Sequence, residues 1–412
     1  MLDIIKIANK IKENRGTLYL VGGSVRDEIL GKVPCDEDYL VVGMTSHKFN
    51  EIFNSATPRG KFFEVYDLEG REFAMARTET KIGRGHKEFK VNTGELITLE
   101  QDLSRRDITI NCIAKDVLTG EIIDIYGGIK DLENRTIRAV TKSFSEDPLR
   151  VYRVARLAAQ LEFKVESNTV LLMNSLKEEL NTLSKERIFT EFRKALSTNK
   201  PSIFFEVLRQ ADLLQIHFKE IYNLIGVLQP EQYHPEGDGY EHTMVVIDKS
   251  TYLTDSLEVR YACLVHDIGK SITPKHMYPH HYGHDINGVK LVGNLSSRIG
   301  VPKSWKKCGE TACKEHMIGG IFYKMNPKKK VSFIQRVDKT LLGLNGLQIV
   351  VNADKSRSTN IKPEHVNFEI IGNKCLKEIN GKYIKQKYNI SSGIQFANKL
   401  YEERVKWMKN KF

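Results

Sequence analysis

Residues 18–38 constrain the fold of this chain more than any other part of the sequence. An apolar run, Leu18–Val21, meets the pair Gly22-Gly23, and a helical pattern begins at Ser24. Glycines allow backbone N–H groups to approach a phosphate chain closely, and the start of a helix favours negative charge. The order of strand, glycine turn and helix therefore predicts a phosphate-binding turn beside a sheet.

The same stretch ends in a pair of carboxylates, Asp36-x-Asp38, which leads into a second apolar run, Tyr39–Val42. In an extended segment, residues i and i+2 project to the same face, so the two carboxylates can hold divalent cations side by side. A glycine turn or an Asp-x-Asp motif alone is a weak signal. In this order and at this spacing, the two together indicate nucleotidyl transfer with two metal ions.

The composition is that of a globular chain with room for several domains. The 412 residues are 41% hydrophobic and 28% charged. No run of about 18 apolar residues predicts a membrane span, and the first residues lack the basic-then-apolar layout of a secretory signal. The six cysteines are scattered without a C-x-x-C pair, as is typical of reduced thiols. We therefore expect a cytoplasmic protein with no membrane contact.

The formal net charge of +11 favours a polyanionic partner. Residues 372–412 carry ten Lys or Arg against three Glu, with aromatic residues interleaved at Tyr383, Tyr388, Tyr401 and Trp407. Such a tail can bind nucleic acid. Alternatively, its lysines solvate a terminal helix whose aromatic side chains belong to the core.

Strand-like runs dominate the first 140 or so residues, and helical patterns follow. The predicted strands are Leu18–Val21, Tyr39–Val42, Phe62–Tyr66, Glu72–Arg77, Ile122–Tyr126 and Thr136–Ala139, with helices at Ile4–Glu13 and Thr45–Asn54. Apolar spacing predicts further helices at 149–161, 168–180, 184–196 and 201–214. These patterns predict an α+β fold, in which a small mixed sheet is followed by helices.

Two arginine-bearing motifs suit nucleotide recognition. The first is Arg105-Arg106, because adjacent guanidinium groups can grip phosphate or ribose bidentately. The second begins at Asp147, where the following proline predicts a helix start. Residues 147, 150 and 153 then share one helix face, where a carboxylate and a guanidinium can read the Watson–Crick edge of a base. A helix cap is the structural alternative for Asp147.

Histidines mark a second chemical centre. Eight of the twelve lie between His234 and His316. Among them stands the dyad His266-Asp267, with His242 before it. Imidazoles together with a carboxylate bind transition metals well, so this pattern favours metal-dependent phosphoester hydrolysis.

These motifs resemble a known family. Residues 18–38 are similar to the head-domain signature of class II nucleotidyltransferases, the CCA-adding enzymes and bacterial poly(A) polymerases, and residues 105–111, 146–153 and 183–191 resemble its later motifs. The order of segments is similar to that of bacterial multifunctional CCA proteins, which join a CCA-adding polymerase to an HD phosphohydrolase. The resemblance implies a nucleotidyltransferase head (1–142), a helical neck (143–228), an HD domain (229–345) and a basic helical tail (346–412).

The resemblance also implies roles for individual head residues. Asp36 and Asp38 would be catalytic and hold Mg²⁺, and the segment 183–191 would support the template helix. Residues 77–86 are similar to the mobile loop of CCA-adding enzymes, which acts when specificity passes from C to A. The implied nucleotide-binding residues are Gly23 and Arg26 on the triphosphate, and Arg106, Asp147, Arg150 and Arg153 on the nucleoside.

For the HD domain, the resemblance implies one divalent transition metal of unknown identity. Its four ligands would be His242, His266, Asp267 and, more distantly in sequence, Asp354. The implied partners are the acceptor arm and 3′ end of tRNA, ATP and CTP. The sequence leaves the oligomeric state and the phosphoester substrate open.

Three other interpretations remain. A poly(A) polymerase, or a partial enzyme that adds only CC or only A, shares the head, although Val42-Gly43-Met44-Thr45 stands where poly(A) members tend to carry a basic pair and a phenylalanine. An alarmone-type synthetase/hydrolase joins the same two domain types in the opposite order. An RNA-binding protein with an inactive head would not need Asp36, Asp38 and Arg106.

Overall fold

A computed structural model describes residues 3–34, 37–59, 65–81, 89–232, 237–355 and 367–411. The chain divides into two compact units. Unit 1 comprises Met1–Arg187 and Ile203–Leu213, and unit 2 comprises Ile188–Ser202 and Leu214–Phe412.

Unit 1 is built on a mixed sheet of seven strands in the order β3-β4-β5-β2-β1-β8-β9. These strands are β1 (Thr17–Val21), β2 (Asp38–Val42), β3 (Thr57–Arg59), β4 (Val65–Leu68), β5 (Arg71–Met75), β8 (Ala114–Asp116) and β9 (Ile122–Ile123). Strand β2 is antiparallel to β1 and parallel to β5. Val21 at the end of β1 lies opposite Asp38 at the start of β2. The glycine turn and this carboxylate therefore lie at the same end of the two neighbouring strands.

A two-stranded hairpin, separate from this sheet, follows β5 in the sequence. It pairs β6 (Arg77–Lys81) with β7 (Phe89–Thr93). The segment expected to act as the mobile loop therefore begins as a strand. Its residues 82–86 lie outside the described residues.

Helices cover the sheet and continue beyond it. They are α1 (Ile4–Glu13), α2 (Gly23–Ile29), α3 (Ser46–Ile52), α4 (Leu99–Ser104), α5 (Gly128–Glu133), α6 (Leu149–Leu161), α7 (Ser167–Ser175), α8 (Lys185–Leu196) and α9 (Ser202–Gln210), with a short parallel pair, β10 (Thr136–Ile137) and β11 (Lys164–Val165). The amphipathic α1 buries Ile7 and Ile11 in the core of the sheet. In the same core Tyr39 stacks on Phe73 with ring centroids 5.1 Å apart.

Unit 2 is helical. After α10 (Leu214–His217) and α11 (Lys219–Tyr222), its helices are α12 (Gly239–Leu253), α13 (Leu257–Val265), α14 (His284–Ile299), α15 (Lys303–Gly320), α16 (Pro327–Asp338), α17 (Gly343–Asp354), α18 (Phe368–Glu378), α19 (Gly381–Tyr388) and α20 (Gly393–Lys411). Phe322, Phe333 and Phe368 pack against one another in an apolar cluster of this unit.

The aromatic side chains of the basic tail pack inward. Trp407 is buried and donates its Nε1–H to Glu378 at 2.6 Å. Tyr383 and Tyr388 both donate to the buried carboxylate of Glu403, at 3.0 Å each. The core interpretation of these aromatics therefore describes the tail, and Lys387 and Lys406 also form ion pairs with Glu403.

The predicted α+β fold is confirmed. The helices predicted at Ile4–Glu13 and 149–161 have those bounds in the structure. The strand predicted to end at Tyr126 ends at Ile123, because the chain turns at residues 125 and 126, and the apolar pattern missed the short β8. Within the described residues, no helix combines the length and apolar character needed to span a bilayer. The cysteines at 112, 263, 308, 313 and 375 are free and buried.

Candidate nucleotide and metal sites

The glycine turn after β1 brings an arginine and a carboxylate together. Gly22 has φ +79°, a left-handed conformation that glycine adopts without strain. A Cβ atom at this position would lie 3.5 Å from Arg106 Nη1 and 3.6 Å from Asp38 Oδ2. One positive and one negative side chain therefore lie next to the turn.

Asp38 is exposed at the start of β2. Asp36, its predicted partner, lies outside the described residues. The geometry of the pair is thus not described, and its metal-binding role stays a prediction.

The side chain of Arg26 is buried next to the glycine turn and is not exposed to solvent. Its Nη1 donates to Asn111 Oδ1 at 2.8 Å. The guanidinium also bonds Asp27, with Nε 2.9 Å and Nη2 2.8 Å from Oδ1. Because a Cβ on Gly23 would approach Arg26 Nη2 to 3.3 Å, this arginine packs directly against the turn.

A buried carboxylate that the sequence analysis did not identify orients the arginine pair. Asp102 is fully buried, and it accepts from Arg105 Nη2 at 2.6 Å and from Arg106 Nη2 at 3.1 Å. Burial opposes its ionisation, but the two guanidinium groups outweigh burial and lower the pKa of Asp102. The sequence could have indicated this contact, because Arg105 and Arg106 follow Asp102 by three and four residues and can share one face of a helix with it.

Asp147 lies before α6 and not on it, because Pro148 is the residue that caps the helix. Its Oδ1 accepts from Leu149 N at 3.0 Å, so the capping contact is present. Its Oδ2 accepts from Arg187 Nη2 at 2.9 Å. The segment 183–191 thus supplies a direct partner to the predicted template carboxylate.

The two predicted template arginines are held differently. Arg150 is buried, and it donates to Arg105 O at 2.5 Å and to Ser143 O at 2.6 Å. Arg153 is partly exposed and donates its Nε–H to Asp107 at 2.7 Å. Burial would raise the pKa of Asp107, but Arg153 outweighs burial and lowers the pKa to about 2.

Unit 2 brings together the four residues that the sequence predicts as metal ligands. His242 lies on α12, His266 and Asp267 follow α13, and Asp354 ends α17. One ligand atom from each lies within 4.8 Å of the others. His242 Nε2 is 3.0 Å from Asp354 Oδ1, and His266 Nε2 is 3.4 Å from both Asp354 Oδ1 and Asp267 Oδ2.

Two further histidines approach the same aspartate. His284 begins α14 and His316 lies in α15, and the Nε2 atom of each is 3.2 Å from Asp267 Oδ1. The sequence analysis placed both in a histidine-rich region without predicting them as ligands. Because both histidines are far from Asp267 in the sequence, no motif spacing connects them to it. The clustering of histidines was the one sequence feature that could have indicated their role.

A glycine makes this approach of α14 possible. A Cβ on Gly269 would collide with the carbonyl oxygen of His284 and lie 2.8 Å from Gly288 N. Only a residue without a side chain therefore allows α14 to pack against the segment that follows Asp267.

The electrostatics of the cluster favour bound cations. Burial would lower the pKa of His266, but Asp267 and Asp354 outweigh it and raise the pKa to about 10. Lys270 Nζ lies 2.5 Å from Asp267 Oδ2 and donates to Gln229 Oε1 at 2.6 Å. The Nε2 atoms of His266, His284 and His316 and the Oδ1 atom of Asp267 are buried without a hydrogen-bond partner among the described residues. Imidazole nitrogens and carboxylates suit first-row transition metals, so the donor set fits a metal centre.

Three family descriptions match successive parts of this chain. "Poly A polymerase head domain" matches residues 18–138, and "Probable RNA and SrmB- binding site of polymerase A" matches residues 162–224. "HD domain" matches residues 239–341. Both the nucleotidyltransferase and the HD domain types are metal-dependent, and the structure holds candidate ligand groups.

Curated relatives and solved structures agree with these matches. The chain is 42% identical over 330 residues to the multifunctional CCA protein of Mannheimia succiniciproducens, covering 78% of each chain. It is 45% identical over 303 residues to that of Psychromonas ingrahamii, covering 72% of this chain and 73% of the relative. A CCA-adding enzyme in complex with ATP matches with a TM-score of 0.67 at 20% identity, over 98% of this chain and 89% of that one. The Thermotoga maritima CCA-adding enzyme complexed with tRNA matches with a TM-score of 0.67 at 18% identity, over 99% and 91%. At these identities, the two structures show a shared fold.

Proposed function

The chain belongs to the family of multifunctional CCA proteins, and on that premise we propose that its head adds C, C and A to the 3′ end of tRNA. The nucleotides come from CTP and ATP, and no nucleic-acid template is used. One observation carries the assignment of the site: the register of β1 and β2 sets Asp38 opposite Val21, next to the glycine turn. The exposed lysines and the net charge of +11 suit the tRNA backbone.

In the reaction, the terminal 3′-hydroxyl oxygen of the tRNA bonds to the α-phosphorus of the nucleotide, and the bond to pyrophosphate breaks. Asp36 and Asp38 would hold Mg²⁺. Bound magnesium lowers the pKa of the attacking hydroxyl and stabilises the charge of the leaving pyrophosphate. The triphosphate then lies against Gly23, with the charge of Arg26 beneath the turn and that of Arg106 at its side. Support for this placement is the 3.5 Å between Arg106 Nη1 and the Cβ position of Gly22.

The base is read by Asp147 and Arg150, with Arg153 on the nucleotide. A guanidinium has five N–H groups, so the two carbonyls that hold Arg150 leave others able to donate to a base. The Asp147 carboxylate accepts from an exocyclic amine, a group that cytosine and adenine share. Because Arg187 fixes Asp147 and backbone carbonyls fix Arg150, the template is largely preorganised before a nucleotide enters.

The HD domain is proposed to hydrolyse phosphoesters with a divalent transition metal. His242, His266, Asp267 and Asp354 are the ligands that the observed cluster supports. The expected substrate is a nucleotide or RNA end that carries a phosphomonoester or a cyclic phosphodiester. Free, buried thiols at the five described cysteines support a cytoplasmic location.

Reciprocal substitutions test the two assignments in one protein. The double variant D36N/D38N should lose at least about 100-fold in CTP and ATP incorporation into tRNA, while phosphate release by the HD domain is unchanged. The variant D267N should show the opposite loss. Incorporation that survives in D36N/D38N would refute the head assignment, and a ladder of many A residues would favour a poly(A) polymerase.

A further inference from the structure

We propose that Gln229 is a phosphate-binding residue of the HD domain, which donates an amide Nε2–H to a phosphoryl oxygen of the substrate. The inference deepens the phosphohydrolase part of the proposed function and rests on it for the class of ligand. Gln229 precedes α12 in the chain, and it is more than nine-tenths buried, with 8% of its surface exposed. A polar side chain at such a depth needs partners at both ends of its amide.

The contact with Lys270 determines which amide atom faces the ammonium group. Lysine has N–H donors and no acceptor, so the amide atom 2.6 Å from Lys270 Nζ has to be the oxygen, Oε1. The amide nitrogen is therefore the other arm of the group. This nitrogen, Gln229 Nε2, is buried and has no hydrogen-bond partner among the described residues.

A buried N–H donor without an acceptor destabilises a folded chain, because the donor has lost its hydrogen bonds to water. Two neighbouring acceptors already have partners. Leu228 O lies 2.9 Å from His281 Nε2, and Asp267 Oδ2 lies 2.5 Å from Lys270 Nζ. Within the part of the chain that the structure describes, Gln229 Nε2 is thus a donor that a ligand oxygen can satisfy.

Two short chains of contacts place Gln229 beside the predicted metal cluster. In the first, Lys270 Nζ lies between Gln229 Oε1 and Asp267 Oδ2, at 2.6 Å and 2.5 Å. In the second, His281 Nε2 lies 2.9 Å from the backbone oxygen just before Gln229, and His281 O lies 2.6 Å from His284 Nδ1. One residue therefore separates this segment from a member of the cluster in each chain.

The chemistry of this position favours an anionic oxygen as the acceptor. An oxygen that carries negative charge makes a stronger hydrogen bond with an N–H donor than a neutral oxygen does. The ammonium group of Lys270 lies next to the same amide and attracts negative charge. A phosphoester has several oxygens that share a negative charge, so a phosphoryl oxygen suits Gln229 Nε2 better than a ribose hydroxyl does.

Binding of inorganic phosphate tests the inference on the full-length chain. The protein is loaded with Mn²⁺ and freed of excess metal, and phosphate binding is measured by isothermal titration calorimetry. The component that D267N lacks is assigned to the HD domain. Q229E keeps an oxygen that accepts from Lys270 but has no N–H group, whereas Q229M lacks both atoms and adds no charge. We expect the dissociation constant of phosphate to rise at least about tenfold in both variants.

A matched control is Q232E, because Gln232 is an exposed glutamine three residues further along the chain. It should bind phosphate as the wild type does. Elemental analysis should find the same Mn²⁺ content in the wild type, Q229E, Q229M and Q232E, so that weaker phosphate binding is not a loss of metal. A Gln229 variant that loses its metal would overturn the inference, since Gln229 would then serve the cluster and not the ligand.

Weaker binding in both Q229E and Q229M supports the inference, because the N–H donor is the group that both variants lack. Weaker binding in Q229E alone would indicate repulsion by the new carboxylate, and weaker binding in Q229M alone would indicate loss of the Lys270 contact. Either result would overturn the inference, as would a wild-type protein that binds no more phosphate than D267N does.

A separate assay of phosphate release from nucleotide phosphoesters distinguishes this inference from the proposed function. Wild-type protein that binds phosphate through Gln229 but hydrolyses no phosphoester would leave the inference standing and refute the hydrolase function. Hydrolysis by the wild type, with equal phosphate affinity in the wild type, Q229E and Q229M, would do the reverse.

Discussion

Arg187 Nη2 donates to Asp147 Oδ2 at 2.9 Å, so the carboxylate that precedes α6 is oriented by a residue in the first turn of α8. The other oxygen of Asp147 is held by Leu149 N. With both oxygens engaged, the Asp147 side chain has one orientation before any nucleotide arrives. Arg187 is thus a positioning residue for the proposed base template.

Removing this positioning contact should weaken nucleotide recognition more than the chemical step. In R187M, Asp147 keeps only its contact with Leu149, and we expect KM for CTP and ATP to rise roughly tenfold while kcat changes little. The control is R193M, at an exposed position of the same helix. Steady-state kinetics with each nucleotide make the comparison, and equal KM values in R187M and wild type would contradict the role of Arg187.

The buried carboxylate of Asp102 should matter for stability as well as for binding. D102N removes the negative charge that holds Arg105 and Arg106, which leaves two guanidinium groups poorly paired. We expect a loss of about 3–5 kcal/mol in the free energy of unfolding of the head. Denaturant titration checks this, with E100Q, at an exposed position of the same helix, as the control. A D102N protein as stable as E100Q would show that the arginines need no such partner.

Acid should destabilise the head partly through Asp107. Its pKa is about 2 in the folded chain because Arg153 outweighs burial, whereas a carboxylate in an unfolded chain has a pKa of about 4. A lowered pKa stabilises the folded state above the unfolded value, and this stability is lost as the pH falls through the folded value.

The free energy of unfolding should therefore fall from about pH 4 towards pH 2, and less steeply in D107N. Denaturant titrations over this pH range measure the slope. E95Q, which changes an exposed carboxylate of the same unit, should keep the wild-type slope. Identical slopes in wild type and D107N would contradict the prediction.

Gly269 should be needed for the HD metal cluster. In G269A the new methyl group collides with His284 O, which pushes α14 away from Asp267. We expect a loss of about 1–3 kcal/mol in stability and weaker metal binding. The control is G320A, at the end of α15, where a Cβ would meet none of the described atoms within 4 Å apart from its chain neighbours and its own helix backbone. Thermal unfolding and metal analysis make the comparison, and wild-type metal content in G269A would show that the close approach is dispensable.

Local patterns predicted much of the fold because they report local physics. The amphipathic spacing of Ile4–Glu13 and the Asp147-Pro148 helix start both correspond to helices with the expected bounds. The prediction that residues 147, 150 and 153 share one helix face does not hold, because Pro148 caps the helix and Asp147 lies outside it. A three-residue spacing is informative only where the helix has already begun.

Contacts distant in sequence were harder to predict. His284 and His316 meet Asp267 only because helices of unit 2 converge, and no motif spacing encodes that convergence. Asp102 was missed for a related reason: an acidic residue beside two arginines has the pattern of a surface ion pair, and its complete burial depends on the packing of β6 and α4.

The most direct test of the central claim uses purified protein and a tRNA that lacks its 3′ CCA. The tRNA is incubated with labelled CTP, ATP and Mg²⁺, and products are sized at single-nucleotide resolution. We expect growth by three residues that ends in A and requires both nucleotides. Growth by C alone, a long run of A, or no growth at all would contradict the account.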